Sequence, residues 1–204
     1  MRNQNSLNNT FPLLPLDLIV DLSHFETCLF TQSDLRKLFF YFRNKNHIHY
    51  LILKFLFSTG ISVPELLMCK IHNFDYESTS MCIPERNRLQ KRNITLANEF
   101  SKELYRYSYE ENPDRSLFPG KDGAREKRSV QYILKKASLL LQKEVNVPLI
   151  RDAIALYFWD QGFPLREIQT FLGHRSSKST KQRLILYQNS QKHEFFDDFK
   201  CKAA

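Results

Sequence analysis

The chain lacks paired cysteines. Cys28, Cys69, Cys82 and Cys201 lie far apart, with no Cys-x-x-Cys pair and no nearby histidine at zinc-finger spacing. That excludes a metal knuckle and a disulfide scaffold, and implies reduced thiols in a cytoplasmic setting. Long apolar runs are also missing. The longest, Leu51 to Phe57, contains Lys54 and falls far short of the roughly 20 residues that span a bilayer, so no membrane partner is expected. Met1 to Asn9 is Asn-rich, and the apolar stretch after it is broken by Pro12, Pro15, Asp17 and Asp21, unlike a signal peptide. No repeat or low-complexity tract is present. With 204 residues, one domain and a short appendage fit, whereas the usual multi-domain enzymes do not.

Hydrophobic residues make up 42% of the chain and charged residues 25%, ordinary values for a folded protein with a sizeable core. The charge is unbalanced: 30 Lys and Arg stand against 22 Asp and Glu, a net +8, with an isoelectric point near 9.3. The surplus is regional. Between Arg86 and Lys136 there are 13 bases and 7 acids. The bases gather in three places: Arg86, Arg88, Lys91 and Arg92; Lys121, Arg125, Lys127 and Arg128 with Lys135 and Lys136; and Arg175, Lys178, Lys181 and Arg183. A basic hairpin together with a basic helix start is what a surface that tracks phosphates needs.

The pattern predicts a mainly α fold with a small antiparallel β-sheet. Thr31-Gln32-Ser33-Asp34 starts a helix that runs to about Arg43, and His47 to Ser58 forms a nearly all-apolar second helix, ended by Gly60. Ser62-Val63-Pro64-Glu65 reads as a capping box for a short helix to about Lys70. Short strands are expected at Phe74 to Tyr76, Ser80 to Pro84 and Asn93 to Leu96, with Glu85 to Arg92 as a polar hairpin tip. Helices return at Ala97 to Tyr109, Ser129 to Lys143, Leu149 to Asp160, Leu165 to Leu172 and Lys178 to Tyr187. His47, His49 and His72 have no partners at metal-ligand spacing, and Tyr105, Tyr107 and Tyr109 read as packing residues. Phe195, Phe196 and Phe199 make an apolar stripe in the tail.

Leu165-Arg166-Glu167-Ile168-Gln169-Thr170-Phe171-Leu172-Gly173-His174 resembles the Leu-Gly-His box of tyrosine recombinases, the phage integrase family. Arg151 stands 23 residues before His174, in Pro148-Leu149-Ile150-Arg151, where that family has His-x-x-Arg. Thr59-Gly60-Ile61-Ser62-Val63-Pro64-Glu65-Leu66 is similar to its Thr-Gly-x-Arg-x-x-Glu-Leu box, and a hairpin follows where the family carries a catalytic lysine. The resemblance implies a catalytic-domain-like unit over residues 29–190. Residues 1–28 would then be an arm with no separate core-binding domain, and 191–204 a tail. It also implies double-stranded DNA as partner and a chemistry that requires neither metal nor nucleotide cofactor. In that chemistry a tyrosine attacks a phosphodiester, arginines hold the non-bridging oxygens, a lysine protonates the leaving oxygen and histidines assist.

Against that family pattern the sequence is depleted. Ser62 occupies the first arginine position and Pro148 the histidine of His-x-x-Arg; Arg86, Asn87 and Arg88 lie near the lysine position, with Lys91 there only if the register slips. Counting from His174, the nucleophile falls on Arg183 or, with one inserted residue, on Leu184, while Tyr187 lies further on. Arg151 and His174 are retained. The leading expectation is a DNA-binding relative that has lost strand cleavage, or nearly so. One alternative is an active recombinase that uses Tyr187. Another is a non-enzymatic module that regulates an intact recombinase, or self-associates on DNA, through the C-terminal tail.

Overall fold

The computed structural model describes residues 18–85, 89–121, 123, 125–176, 178, 180–182, 184, 185 and 187. Arg86, Arg88, Arg183, Phe195, Phe196, Phe199 and the tail expected at 191–204 lie outside them, as do residues 1–17. Seven helices are assigned within the described residues: α1 (Gln32–Lys45), α2 (His47–Thr59), α3 (Val63–Met68), α4 (Asn98–Ser108), α5 (Lys127–Leu141), α6 (Val147–Asp160) and α7 (Leu165–Leu172). Helical geometry resumes at Lys178 and includes Thr180, Leu184 and Tyr187. No helix among the described residues is long and apolar enough to cross a membrane.

Local chemistry sets the helix boundaries. Thr31 and Asp34 exchange side-chain and backbone hydrogen bonds in a capping box, as do Ser62 and Glu65. Asn46 does two jobs: its N–H donates to Phe42 O to end α1, and its side chain accepts from the His49 N–H to start α2. Gly60, at φ 59°, closes α2 in the left-handed conformation that favours glycine. α6 begins at Val147 rather than Leu149, because Asn146 caps it and Pro148 occupies the first turn, where its missing N–H costs nothing. α5 likewise starts two residues before the expected Ser129.

Three strands, β1 (Phe74–Asp75), β2 (Ser80–Ile83) and β3 (Arg92–Thr95), form an antiparallel sheet in that order. Its register pairs Met81 with Ile94 and Ile83 with Arg92. Alternation along β3 buries Arg92 and Ile94 and exposes Asn93. The strand therefore starts one residue before the expected Asn93, and Arg92 belongs to the inner face of the sheet rather than to the hairpin tip.

α2 is the centre of the core: every residue from Tyr50 to Thr59 except Lys54 is buried. Phe57 packs edge-on against Phe25, Phe30 and Phe39, with ring centroids 5.2–6.2 Å apart. Burying such a side chain contributes about 1.5–3 kcal/mol, so Phe57→Ala would remove one of the larger single terms in the core. Leu18, Val20 and Phe25 are buried in the same core. Lys143 Nζ ties the other end of this region down, donating to Leu29 O at 2.9 Å and to Asp34 Oδ2. On the far side, α6 lies against α2, and α7 lies against α6 and β3. The loop that ends α7 is thereby brought to the mouth of the α2–α3 turn.

The tyrosines of α4 divide. Tyr107 is half-buried and stacks on Phe118 at 6.0 Å. Tyr105 and Tyr109, expected to pack, are 37% and 57% exposed. Tyr105 lies in the last turn of α4 and stacks on Tyr76 at 4.3 Å, and Tyr109, which caps the helix, lies beside it with ring centroids 5.2 Å apart.

Candidate active site

A helix leaves its last carbonyls without intrahelical donors, and at the end of α7 two arginines from distant elements supply them. Arg92 Nε, from β3, donates to Phe171 O at 2.7 Å. Arg151 Nη2, from α6, donates to Leu172 O at 2.9 Å, while its Nη1 donates to Gly60 O at the end of α2. Both cations also lie favourably at the negative ends of helix dipoles. Gly173 follows at φ 71°, and a Cβ there would collide with the guanidinium of Arg92. Only glycine fits between this arginine and the turn.

Arg92 is buried as an ion pair. Its Nη1 donates to Glu65 Oε1 at 2.7 Å, and the two side chains are 3% and 0% exposed. The other oxygen of Glu65 accepts the Ser62 N–H at 2.7 Å. Glu65 therefore closes the cap of α3 and neutralises the buried guanidinium at once, and one carboxylate satisfies two desolvated groups. Arg92 Nη2 is buried without a hydrogen-bond partner among the described residues. The thiol of Cys69, at the end of α3, donates to Glu65 O at 3.2 Å, and burial followed by the nearby Glu65 charge pushes it up to about 12. It is an unreactive thiol.

His174 occupies the turn itself. Its Nε2 faces Arg151 Nη2, and a guanidinium only donates, so Nε2 accepts. The proton then resides on Nδ1, which donates to Thr180 Oγ1 at 2.8 Å. The turn is held from both sides: the Gln169 amide donates to His174 O at 2.9 Å, and the Gln90 N–H donates to Gly173 O at 3.0 Å. Arg151 and His174 are both half-buried, so the pair reaches the surface. A cation with fixed direction beside a neutral imidazole can hold an anionic oxygen and position a proton.

The neighbouring positions do other work. Ser62 Oγ accepts the Glu65 N–H at 3.4 Å as the cap of α3. Leu184 is 3% exposed. Tyr187 is half-buried, and its hydroxyl donates to Asp152 Oδ2 at 3.2 Å. Asp152, 4% exposed, follows Arg151 in α6.

The sequence profile described as the phage integrase family matches residues 29–193. The chain belongs to the phage integrase family. This is the family of integrases and tyrosine recombinases, which act in DNA recombination. A tyrosine recombinase of Pseudothermotoga lettingae is 24% identical over 152 residues, covering 72% of this chain and 52% of that protein. The crystal structure of XerA recombinase superposes with a TM-score of 0.66 at 22% identity, covering 80% of this chain and 64% of that one. That of XerH site-specific recombinase bound to palindromic difH substrate does so with a TM-score of 0.64 at 16% identity, covering 81% and 51%. The fold is that of a tyrosine-recombinase catalytic domain. This integrase-family chain spans about half the length of the curated relatives it matches, 45% to 52%.

Of the family positions named from sequence, the structure brings Arg151 and His174 into direct contact, while Tyr187 meets Asp152 beside them. The basic residues fall into four groups. Lys91, Lys121, Lys127, Arg128, Lys178 and Lys181 are exposed. Arg175 is exposed but paired with Glu85 at 2.5 Å. Arg125 is half-buried and consumed by the loop before α5: its guanidinium donates to Phe118 O, Pro119 O and Ser129 Oγ, and burial lowers its pKa. Arg92, expected on the hairpin surface, is instead inside the protein. The cause is its register opposite Ile83. Sequence reasoning assigned Glu65 only its capping role and passed over Thr180 and Asp152. The alternation Arg92-Asn93-Ile94, with Ile94 inward, was the available signal for the first; no local pattern marks the other two.

Proposed function

We propose that this integrase-family protein binds duplex DNA and has lost, or nearly lost, the ability to break and rejoin it. The observation that carries the proposal lies at the nucleophile position. Counted from His174 it is Arg183 or, with one inserted residue, Leu184; neither carries a hydroxyl, and Leu184 is an apolar side chain 3% exposed in the core. Two further positions agree. Ser62 stands where a phosphate-holding arginine is implied and spends its oxygen on the cap of α3. Pro148 sits in the first turn of α6 and has no proton to move. Removing one preorganised donor typically lowers a rate about 100- to 1000-fold, and losing the nucleophile costs far more.

Binding is spread more widely than chemistry. Lys91, Lys121, Lys127, Arg128, Lys178 and Lys181 present charge at the surface, and each phosphate contact is a modest share of affinity. XerH site-specific recombinase, which shares this fold, was solved bound to its palindromic difH substrate, and this supports DNA as the partner here too. Another recombinase, or a second copy joined through the C-terminal tail, would add phosphate contacts and raise the affinity. Such a protein would be cytoplasmic and DNA-associated.

The test is a salt titration on a labelled duplex combined with a suicide substrate nicked next to the cleavage position. The proposal expects micromolar or tighter binding with a steep negative salt slope and no covalent protein–DNA band. A covalent band from the wild type overturns the loss of cleavage, and an absence of binding at low salt overturns the DNA reading. A second reading, cleavage by Tyr187, is favoured by the placement of its hydroxyl on Asp152, next to Arg151. It requires a covalent band that disappears in Tyr187→Phe.

A further inference from the structure

Beside the His174 turn lies an open groove of about 570 Å³, lined by Gln90 from the hairpin and by Leu165, Arg166, Gln169 and Thr170 from α7. It is continuous with the candidate active site through two hydrogen bonds, Gln169 to His174 O and the Gln90 N–H to Gly173 O. Its wall is polar. Arg166, in the first turn of α7, and Gln90, at the base of the β2–β3 hairpin, are both exposed. Neither side chain makes a hydrogen bond among the described residues, unlike Arg92, Arg125, Arg151 and Arg175, each of which donates to protein groups. Thr170 Oγ1 donates to Arg166 O, which fixes the hydroxyl at the edge of the groove and leaves its oxygen able to accept. Exposed Lys91 follows Gln90 in the chain, and exposed Arg175 and Lys178 follow the turn.

We infer that this groove is a second phosphodiester-binding subsite, in which Arg166 and Gln90 hold a backbone phosphate of the strand that crosses Arg151 and His174. The inference rests on the DNA-binding reading above and extends it to residues outside the basic clusters. A guanidinium and a carboxamide converging on one concavity offer the planar and single N–H donors that phosphate oxygens accept. The neighbouring surface is basic: exposed Lys91 follows Gln90 in the chain and exposed Arg175 and Lys178 follow the turn, against Glu85, already paired with Arg175, and Glu167. A concave, charge-selective seat matches a tetrahedral anion better than a base edge, which is read by side chains that project into a groove of the duplex.

The experiment compares wild type, Arg166→Ala, Arg166→Lys and Gln90→Ala on two duplexes of unrelated sequence, with Lys127→Ala/Arg128→Ala as a reference for the basic surface. Arg166 and Gln90 are exposed, so all of the variants should melt as the wild type does. The inference predicts that Arg166→Ala raises Kd about tenfold on both duplexes alike and lowers the salt slope by about one. Arg166→Lys should restore most of the affinity and the slope, and Gln90→Ala should raise Kd about threefold with the slope unchanged. An unchanged Kd and slope in Arg166→Ala, while the reference double variant weakens, overturns the subsite and leaves DNA binding standing. A loss confined to one duplex also overturns it, since that is the signature of base reading. No binding by the wild type overturns both.

Discussion

Two sets of basic residues lie within the same small region and have opposite fates. Arg92 and Arg151 are turned inward onto the carbonyls of Phe171, Leu172 and Gly60 and, for Arg92, onto the carboxylate of Glu65. Lys91, Lys127, Arg128, Lys178 and Lys181 point into solvent. The inward set holds the α7 end, the α2 end and the α3 cap as one unit and contributes to stability. The outward set lies at the surface, where its charge can meet a polyanion. Sequence alone places Lys91 and Arg92 in one basic cluster. A difference of one residue in a strand with period two separates a buried structural cation from a surface charge.

The contrast breaks most sharply at the ion pair. Glu65→Ala leaves Arg92 charged and unpaired in the core and should destabilise the fold by about 3–5 kcal/mol, measured by chemical denaturation at pH 7. Gly173→Ala is expected to follow, at more than about 1 kcal/mol, because it combines a positive φ with a Cβ that collides with Arg92. Arg151→Ala removes charge-assisted bonds from two helix ends. Its half-exposed position holds the expected loss to about 2 kcal/mol, with a lower melting temperature as the readout. Lys127→Ala/Arg128→Ala should do the reverse, leaving stability within about 0.5 kcal/mol and lowering the salt slope for DNA by about two. If Glu65→Ala proves neutral, or the double variant unfolds the protein, the division between the two sets is wrong.

The smallest effect concerns pH. Burial, followed by the charges of Arg125 and Lys136, holds the His49 pKa below its usual value. Near neutral and mildly acidic pH the unfolded chain then binds a proton that the folded chain refuses. Stability contributed by this site is full above about pH 6.5 and is lost as pH falls from there toward the folded value. Asp34 acts in the same direction at lower pH. Burial alone would raise its pKa, but hydrogen bonds from Lys143 and Thr31 outweigh it and leave the pKa lowered. A denaturation series from pH 7.5 to 5.5 should show a modest decline that His49→Gln flattens.

Much of the fold is legible in the sequence because the signals that encode it are short. Thr31 with Asp34, Ser62 with Glu65, Gly60, Gly173 and Pro164 each mark a boundary within a residue or two of where it stands. The site is legible in part. Arg151 and His174 are named by family spacing and do meet, but nothing in the sequence shows that their contact is shared with Leu172 O and Gly60 O. Tyr105 and Tyr109 escape sequence reasoning for a similar reason: whether an aromatic side chain is covered depends on what lies over α4.

The sequence by itself therefore determined the element boundaries, the family boxes and the regional charge. Caps, turns and periodicity are decided by groups three or four residues apart, whose geometry the backbone fixes locally. Only the tertiary structure decided which cations are scaffold and which are surface. Arg92 meets Glu65 across 27 residues and Phe171 across 79, Arg151 meets Gly60 across 91, and Tyr187 meets Asp152 across 35. Whether a charge is desolvated, and what neutralises it there, depends on segments brought together by packing, and local sequence carries no measure of that.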